Sequence, residues 1–343
     1  MRCLVLLWCA FLAFAGSVVA QAKHPFTFED MMKLKRVGDP QVSPDGKWVI
    51  FSVVDVDLAA NRKTPHIWIV SLTDVGKAAS SHPGERSSAS SPSRERILIS
   101  DQDADRPRWA PDGKRFAFLS TKGDGSQVWI AEFDGSAGSV TAVHRLTNIA
   151  TEASGELWSP DGKNVLFTSD VYPECDGAPE AEIPCNTKKL EEAEKSKVKA
   201  QLFTHLLYRH WNAYKEGKRT HLLLIRVPER FPQPSETDKG APDVYNGALR
   251  SVPRDLTRGD YDAPVFSLGG QDDYAFSPDG QEICYASNHD KNPAASTNND
   301  LWIVPVTGGP AKNITADNPA SDTSPLYSPD GRYIAYRAQH RPG

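Results

Sequence analysis

Ser43-Pro44-Asp45-Gly46 is the first of five closely similar tetrapeptides, and this repeat decides the fold. The others are Ala110-Pro111-Asp112-Gly113, Ser159-Pro160-Asp161-Gly162, Ser277-Pro278-Asp279-Gly280 and Ser328-Pro329-Asp330-Gly331. Proline presets φ for the first central position of a tight turn, aspartate bonds to nearby backbone, and glycine accepts a positive φ. Each tetrapeptide therefore predicts a turn, and five copies indicate an internal repeat.

Apolar residues flank each turn with the spacing of a β-hairpin. Two residues before each proline stand Val42, Trp109, Trp158, Phe276 and Tyr327. The third and fifth residues after each glycine are also apolar, with the period of two that is typical of a strand: Val49 and Phe51, Phe116 and Phe118, Val165 and Phe167, Ile283 and Tyr285, Ile334 and Tyr336. Each copy therefore predicts two antiparallel strands.

Further strand signals complete the repeating unit. Apolar runs follow at Ile67-Trp68-Ile69-Val70, Val128-Trp129-Ile130-Ala131, Leu222-Leu223-Leu224-Ile225 and Leu301-Trp302-Ile303-Val304. Leu-Thr or a similar pair then closes the unit at Leu146-Thr147, Leu256-Thr257 and Ile314-Thr315, with Leu98-Ile99-Ser100 as a degenerate version. Four short strands per repeat match a propeller blade, whereas a β-sandwich has no such fixed-period motif. We expect an all-β fold, an incomplete β-propeller of antiparallel four-stranded blades over residues 37–343, with four complete blades and part of a fifth.

The composition excludes several classes of protein. The chain has 343 residues, of which 39% are hydrophobic and 24% charged, which excludes disorder, a collagen and a polytopic membrane protein. The net charge is −5, and the sequence has no dense block of lysine and arginine. We therefore expect no nucleic-acid partner.

Residues 1–20 have the pattern of a signal peptide. Arg2 precedes an apolar run from Leu4 to Ala15, and small residues follow, ending Val18-Val19-Ala20. Twelve apolar residues rise only about 18 Å as a helix, against roughly 30 Å of hydrocarbon, so a cleaved peptide is favoured over an anchor. We expect export to the periplasm or outside the cell, no membrane association after cleavage, and a segment 21–36 that contains a short helix.

The third repeat contains a long insertion, at about residues 171–219. Gly162 and Leu223 are 61 positions apart, while Gly46 and Trp68 are 22 apart. Lys188–Lys199 is rich in Glu, Lys and Ala and predicts a short exposed helix. Residues 202–211 fit a helical apolar stripe on their own pattern.

Three cysteines remain after cleavage of the signal peptide. Cys175 and Cys185 flank a loop with two prolines and are candidates for a disulfide, while Cys284 lies in a strand pattern and predicts a buried thiol. No C-x-x-C, H-E-x-x-H or zinc-type cluster occurs in the sequence. We therefore expect neither a metal site nor another cofactor.

Two further stretches make the sequence resemble a known family. They are Phe26 to Val37 (FTFEDMMKLKRV) and Leu207-Tyr208-Arg209-His210-Trp211, the latter followed by Gly217 to Leu222 (GKRTHL). Together with the repeated turn, they resemble exported serine peptidases of the prolyl oligopeptidase family, in its acylaminoacyl-peptidase and dipeptidyl-peptidase branch. The turn alone is less specific, because the periplasmic propeller of the Tol system carries it too.

The resemblance implies a propeller set over a C-terminal α/β-hydrolase domain, with peptide hydrolysis by Ser, His and Asp in a cavity between them. The serine of that chemistry stands on a G-x-S-x-G turn. This sequence has no G-x-S-x-G, so no catalytic residue can be assigned in it. We expect the N-terminal, substrate-gating propeller portion of an exopeptidase, without its own hydrolase domain and inactive alone. The alternative is a non-enzymatic periplasmic propeller for protein interaction, similar to that of the Tol system.

The resemblance also implies candidate substrate contacts in the insertion. It favours a strand over residues 202–211 that pairs in a hairpin with Thr220–Val227. Tyr208, Arg209 and Trp211 would then offer a peptide substrate a hydrogen bond, a charge and a stacking surface. The competing interpretation is that Arg209 forms an ion pair while both aromatic residues pack in the blade.

Overall fold

The computed structural model describes residues 24–73, 95–100, 103–203, 206, 208–210, 212–231, 252–266 and 273–342. The signal peptide predicted at residues 1–20 lies outside these ranges. Among the described residues, no helix is long and apolar enough to cross a membrane.

Helix α1 (Phe28–Lys33) opens the described chain and confirms the short N-terminal helix. Thr27 caps the N-terminus of this helix and exchanges hydrogen bonds with Asp30. The backbone N–H of Asp30 donates to the Thr27 hydroxyl at 3.2 Å, and the backbone N–H of Thr27 donates to the Asp30 carboxylate at 3.1 Å. Two of the unpaired N–H groups at the helix start are thereby satisfied.

Four antiparallel four-stranded sheets follow, which confirms the predicted blades. The first contains β1 (Arg36–Val42), β2 (Trp48–Asp57), β3 (Arg62–Ser71) and β4 (Glu95–Ile99). The second contains β5 (Ala104–Trp109), β6 (Arg115–Ser120), β7 (Gln127–Asp134) and β8 (Ser139–Arg145). A fifth sheet has two strands, β19 (Asp322–Tyr327) and β20 (Ile334–Ala338).

The third and fourth blades have the same strand order, with the insertion inside the third. The third contains β9 (Ser154–Trp158), β10 (Asn164–Val171), β13 (Arg219–Arg226) and β14 (Arg254–Asp255). Between β10 and β13 lie a 3-10 turn (Pro173–Cys175), helix α2 (Pro179–Lys195) and the short strands β11 (Arg209–His210) and β12 (Ala213–Tyr214). The fourth contains β15 (Tyr274–Phe276), β16 (Glu282–Ser287), β17 (Asp300–Pro305) and β18 (Lys312–Asn313), with a 3-10 turn (Pro293–Ala295) before β17.

All five predicted turns are present, with one geometry. In each, the residue two before the proline pairs with the third after the glycine, as Val42 does with Val49 and Trp109 with Phe116. The glycines have φ between 65° and 71°. In the four copies that begin with serine, its hydroxyl donates to the aspartate at 2.6 Å. This hydrogen bond is the main reason that the pKa of each of those aspartates is lowered.

Successive turns stack on one another. A Cβ added to Gly280 would lie 3.4 Å from Cδ of Pro160 in the preceding turn, and one added to Gly162 would lie 3.6 Å from Cδ of Pro111. Gly113 and Gly331 have the same relation to Pro44 and Pro278. The repeated proline and glycine therefore fix the spacing of adjacent blades as well as the turn.

We expect Gly280→Ala to lower the free energy of unfolding by about 1–2 kcal/mol, because an L-residue is strained at a φ of +70°. Chemical unfolding would measure the loss. Gly38→Ala is the matched control, since no atom lies within 4 Å of the added Cβ and its φ is not positive. Equal effects of the two substitutions would contradict the role given to the turn.

The core consists of layers between neighbouring blades. The first layer joins Ile50 and Ile67 to Phe116 and Phe118, and the second joins Val128 and Ile130 to Val165 and Phe167. The third joins Leu166 and Leu222 to Ile283 and Tyr285, and the fourth joins Cys284 to Tyr327 and Ile334. Cys284 is a buried thiol, and burial raises its pKa to about 12.

The outer faces of the first and fifth sheets are apolar but exposed. Val37 and Val42 on β1 are 67% and 59% exposed, and Leu326 on β19 and Tyr333 beside β20 are 64% and 70% exposed. Trp109, Trp158 and Phe276, which stand at the position of Val42 in the middle blades, are half-buried or buried. These two faces therefore have the chemistry of blade interfaces.

The insertion differs from the sequence prediction in two respects. Helix α2 begins nine residues before the predicted Lys188 and ends at Lys195, because Pro179 occupies its first turn, where proline is well tolerated. The predicted hairpin of residues 202–211 with Thr220–Val227 is wrong. Strand β13 pairs with β10 on one edge and β14 on the other, and β11 pairs with β12 instead.

Candidate functional site

The insertion and two neighbouring loops lie at the end of the propeller opposite the repeated turns. The repeated turns join the first and second strands of each blade, whereas the insertion joins the second and third strands, β10 and β13. Because these strands are antiparallel, the two kinds of connection lie at opposite ends. The β14 to β15 connection and the loop 288–299 share the end that carries the insertion.

The start of the insertion is clamped to the third blade. A disulfide joins Cys175 to Cys185, whose Cα atoms are 5.6 Å apart. Glu182 is buried in α2, where it pairs with Nε of Arg258 at 2.5 Å and accepts from the backbone N–H of Gly177 at 3.1 Å. The helix is therefore held to the loop that follows β14.

The end of the insertion is fixed by Lys215. Its ammonium group lies 3.0 Å from the Asp170 carboxylate, 3.2 Å from Asp262 and 2.6 Å from the Thr220 hydroxyl. Burial alone would raise the pKa of Asp170, but the charge of Lys215 and the hydrogen bond from Thr220 outweigh it, and the pKa is lowered. Both ends of the insertion are therefore tied to the blade.

His221, at the start of β13, is a buried imidazolium. Nδ1 lies 2.5 Å from the Asp255 carboxylate, and Nε2 lies 2.9 Å from the carbonyl oxygen of Gly259. Both partners only accept hydrogen bonds, so both ring nitrogens must carry a proton. Burial lowers the pKa of His221, but the hydrogen bond to Asp255 and its charge outweigh burial, so the pKa is raised.

Asp176 lies beside this pair, and the ligand atoms of Asp176, His221 and Asp255 are within 4.8 Å of one another. Loss of hydration raises the pKa of Asp176, His221 lowers it and Asp255 raises it, with a net upward shift. A metal ion would need a free ring nitrogen, and both nitrogens of His221 are engaged. The arrangement therefore fits a structural charge cluster better than a metal centre.

The free energy of unfolding should fall as the pH rises above about 6.5, the usual histidine pKa. A group with a raised pKa in the folded state stabilises the fold fully below its unfolded-state pKa, and that contribution is lost as the pH rises through the folded-state pKa. Thermal unfolding between pH 6 and pH 9 would measure it, with His221→Gln as the comparison. A variant with the same pH dependence as the parent would refute the assignment.

Cavities open at this end of the propeller, and two of them are lined by residues that the structure describes. One of about 810 Å³ lies between the third and fourth blades and is lined by Arg219, Tyr261, His289 and Lys291 among others. A second of about 630 Å³ lies under the insertion and is lined by Phe203, Tyr208, Lys215 and Arg219 among others. Arg219 lines both and pairs with Asp260 at 2.8 Å.

The larger cavity contains a neutral imidazole between aromatic rings. The His289 ring centroid is 3.7 Å from that of Tyr261 and 3.9 Å from that of Trp302. Burial lowers the pKa of His289 to about 4, so the ring is uncharged at neutral pH. Burial also raises the pKa of Tyr261 to about 12 and keeps its phenol protonated. The wall therefore combines flat aromatic surface with polar groups, a combination typical of ligand pockets.

The structure places two of the three predicted contact residues near the smaller cavity. Tyr208 is half-buried and stacks on Phe203 with centroids 4.2 Å apart. Arg209 is exposed, and its guanidinium lies 6.0 Å from the Tyr208 ring. Trp211 lies outside the described residues. Arg219, Tyr261 and His289 were not predicted from sequence, because they come from separate strands and loops that only the blade arrangement brings together.

Comparison with known proteins identifies relatives over nearly the whole chain. The chain is 31% identical to dipeptidyl-peptidase 5 of Porphyromonas gingivalis over 320 residues, 92% of this chain and 39% of that protein. It is 27% identical to dipeptidyl-peptidase 5 of Porphyromonas endodontalis over 324 residues, with the same two coverages. The chain thus spans about two fifths of the length of these relatives. No family model matches the chain.

A solved structure supports the fold. The acylaminoacyl peptidase of Pyrococcus horikoshii superposes with a TM-score of 0.55 and 13% identity, over 92% of this chain and 37% of that one. At that identity the likeness concerns architecture alone. The propeller blades predicted from the repeated turns therefore agree with the four-stranded sheets of this chain and with a solved structure of similar fold.

Proposed function

The chain belongs to the prolyl oligopeptidase family of serine peptidases, and from that premise we propose that it is the substrate-gating propeller portion of an exported exopeptidase. The observation that carries the proposal is the match to dipeptidyl-peptidase 5 over 92% of the chain at 31% identity. The reaction is the hydrolysis of peptides near the N-terminus, with release of dipeptides, as the names of both relatives indicate. Release of acylated residues is the competing specificity.

The proposed role of this chain is to admit and orient the peptide. The end of the propeller that carries the insertion has two cavities, with aromatic, basic and acidic side chains in their walls. Aromatic surface binds peptide side chains, and fixed charges bind the peptide termini. The clamps at Glu182 and Lys215 hold the insertion, which preorganises this surface for binding.

Export is supported by two features. The pattern of residues 1–20 is typical of a signal peptide. The disulfide between Cys175 and Cys185 is of the kind that persists in oxidising compartments. We infer a periplasmic or secreted location.

The turn that carries the catalytic serine in this family does not occur in this sequence. No G-x-S-x-G occurs in its sequence, so we propose that a separate α/β-hydrolase domain of the same protein supplies the nucleophile. The exposed apolar faces of the first and fifth sheets support the presence of further blades that cover them.

In the full-length peptidase we expect Tyr208→Ala to raise KM for a dipeptidyl reporter about tenfold, with kcat nearly unchanged. KM rises while kcat is unchanged when the lost contact binds the substrate and the transition state equally. Steady-state kinetics would measure it, with Lys188→Ala on the exposed side of α2 as the control. An unchanged KM in the Tyr208 variant would show that Tyr208 does not contact the substrate. The assignment of the family would be unaffected.

A reporter comparison tests the specificity. We expect the full-length protein to cleave dipeptidyl reporters with a free N-terminus faster than N-acylated single-residue reporters. The reverse preference would assign it to the acylaminoacyl type. The absence of both activities would favour the alternative, a propeller that acts only in protein interaction.

A further inference from the structure

Residues 258–262, here called the linking loop, follow β14 and contact both the insertion and the fourth blade. Arg258 pairs with Glu182 of helix α2 in the insertion. The Ser287 hydroxyl of the fourth blade donates to the carbonyl oxygen of Asp262 at 2.7 Å. The conformation of the linking loop therefore sets how the wall of the larger cavity lies between these two parts of the protein.

Tyr261 is the residue of the linking loop that supplies aromatic surface to the larger cavity. Its ring covers the ring of His289, with centroids 3.7 Å apart, and Nε2 of His289 is inaccessible to solvent. The Tyr261 hydroxyl donates to the carbonyl oxygen of Arg258 at 2.6 Å. The side chain is therefore folded back onto the loop that carries it.

Gly259 makes this folding possible. Its φ is +138°, a conformation that residues with a side chain rarely adopt. A Cβ added to Gly259 would also overlap Cε1 of Tyr261. The ring of Tyr261 thus lies directly on the backbone of Gly259, so the place of the ring in the cavity wall depends on the orientation of that peptide.

The orientation of Gly259 is held by His221. Nε2 of His221 donates to the carbonyl oxygen of Gly259 at 2.9 Å, while Nδ1, 2.5 Å from the Asp255 carboxylate, fixes the direction of the ring. His221 is fully buried, so it cannot touch a ligand in the cavity. Any effect of His221 on such a ligand must therefore pass through Gly259 and Tyr261.

We propose that His221 is a positioning residue for the larger cavity, which holds the carbonyl of Gly259 and, through it, the ring of Tyr261. Without the Nε2 donor, the Gly259 peptide rotates, Tyr261 leaves the His289 ring, and a peptide side chain loses a flat surface on which to pack. The effect on a peptide rests on the proposed function of this cavity. The structural step, from His221 to Tyr261, does not.

Two neutral variants of His221 in the full-length protein separate positioning from stability. The amide nitrogen of asparagine takes the place of Nδ1 and donates to Asp255, whereas that of glutamine takes the place of Nε2 and donates to Gly259. We expect His221→Asn to raise KM for a dipeptidyl reporter about tenfold, the scale of one lost hydrogen bond, and His221→Gln to keep the parent KM. Both variants lose the same charge, and a loss of folded protein lowers the apparent kcat but leaves KM unchanged.

Modification by diethyl pyrocarbonate, followed by mass spectrometry, tests the structural step without any activity. The reagent modifies uncharged imidazole, and burial lowers the pKa of His289 to about 4, so this ring is uncharged at neutral pH. We expect His289 to react several times faster in His221→Asn than in the parent or in His221→Gln, because Tyr261 no longer covers it. The exposed His340 is the internal reference.

Equal reactivity of His289 in the parent and in both variants would overturn the proposal. A reactive His289 with an unchanged KM would refute the effect on the substrate and, with it, the proposed binding of peptides at this wall. If the His221 variants do not fold, Gly259→Ala gives the same two readouts, since the added Cβ displaces Tyr261. Its control is Gly38→Ala, where no atom lies within 4 Å of the added Cβ.

Discussion

His221→Leu is expected to lower the free energy of unfolding by about 3–5 kcal/mol, because the substitution leaves Asp255 buried without its cationic partner. Asp255 would keep the hydrogen bond from the backbone N–H of Thr257 at 2.8 Å, which does not neutralise its charge. Chemical unfolding near pH 6 would measure the full effect, since His221 is protonated there.

Two further variants make this result specific. His340→Leu removes an exposed histidine and should change stability by no more than about 0.5 kcal/mol. The double variant His221→Leu, Asp255→Leu removes both charges and should recover part of the loss. A single variant as stable as the parent would show that the pair does not hold β13 to β14.

Phe116→Ala should destabilise the protein by about 3–5 kcal/mol as well, through a cavity in the layer between the first and second blades. The ring is fully buried and has its centroid 5.5 Å from Trp109 and 6.5 Å from Phe133, in edge-on geometry. Its loss removes both apolar burial and these aromatic contacts.

The control for this substitution is Phe26→Ala, because Phe26 is 67% exposed. Thermal unfolding of both variants would give the comparison. If the two losses were equal, the layer between the blades would not be the core that the structure indicates.

The repeated parts of the fold were predictable from sequence because the residues of each repeat determine its local structure. Pro44, Asp45 and Gly46 encode a turn locally, and the period of two at Val49 and Phe51 encodes the strand that follows. Five copies of this signal gave the number of blades and the pairing of Val42 with Val49. The closing Leu-Thr has a physical reason too, since the Thr257 hydroxyl accepts from the backbone N–H of Leu222 at 2.9 Å.

The insertion was harder to predict because it occurs once and its patterns conflict. Residues 202–211 have an apolar stripe in the sequence, yet Leu202 is 92% exposed and Leu206 is 59% exposed, so these two members of the stripe do not face a core. The strand that the resemblance favoured had no free edge to pair with, because β13 is occupied on both sides. That constraint comes from the blade as a whole and cannot be read from the segment alone.

The candidate site was the least predictable part. Tyr208 was identified through a family resemblance, whereas Arg219 and His289 lie on different blades and meet only through blade packing. The buried polar residues Gln127, His221 and Asp300 lie at or near the start of the third strands and do carry a sequence signal, since each directly precedes an apolar run. A polar residue directly before such a run in three repeats indicates a buried hydrogen-bonding position.

We propose that this chain gates a peptidase whose catalytic groups lie in another part of the same protein. The most direct measurement compares hydrolysis of a dipeptidyl reporter by the full-length protein and by residues 21–343 alone, each with and without a serine-directed inhibitor. We predict inhibitor-sensitive turnover by the full-length protein, and none above background by the chain, a difference of about a millionfold or more in rate. Inhibitor-sensitive turnover by residues 21–343 alone, or none by the full-length protein, would contradict the account.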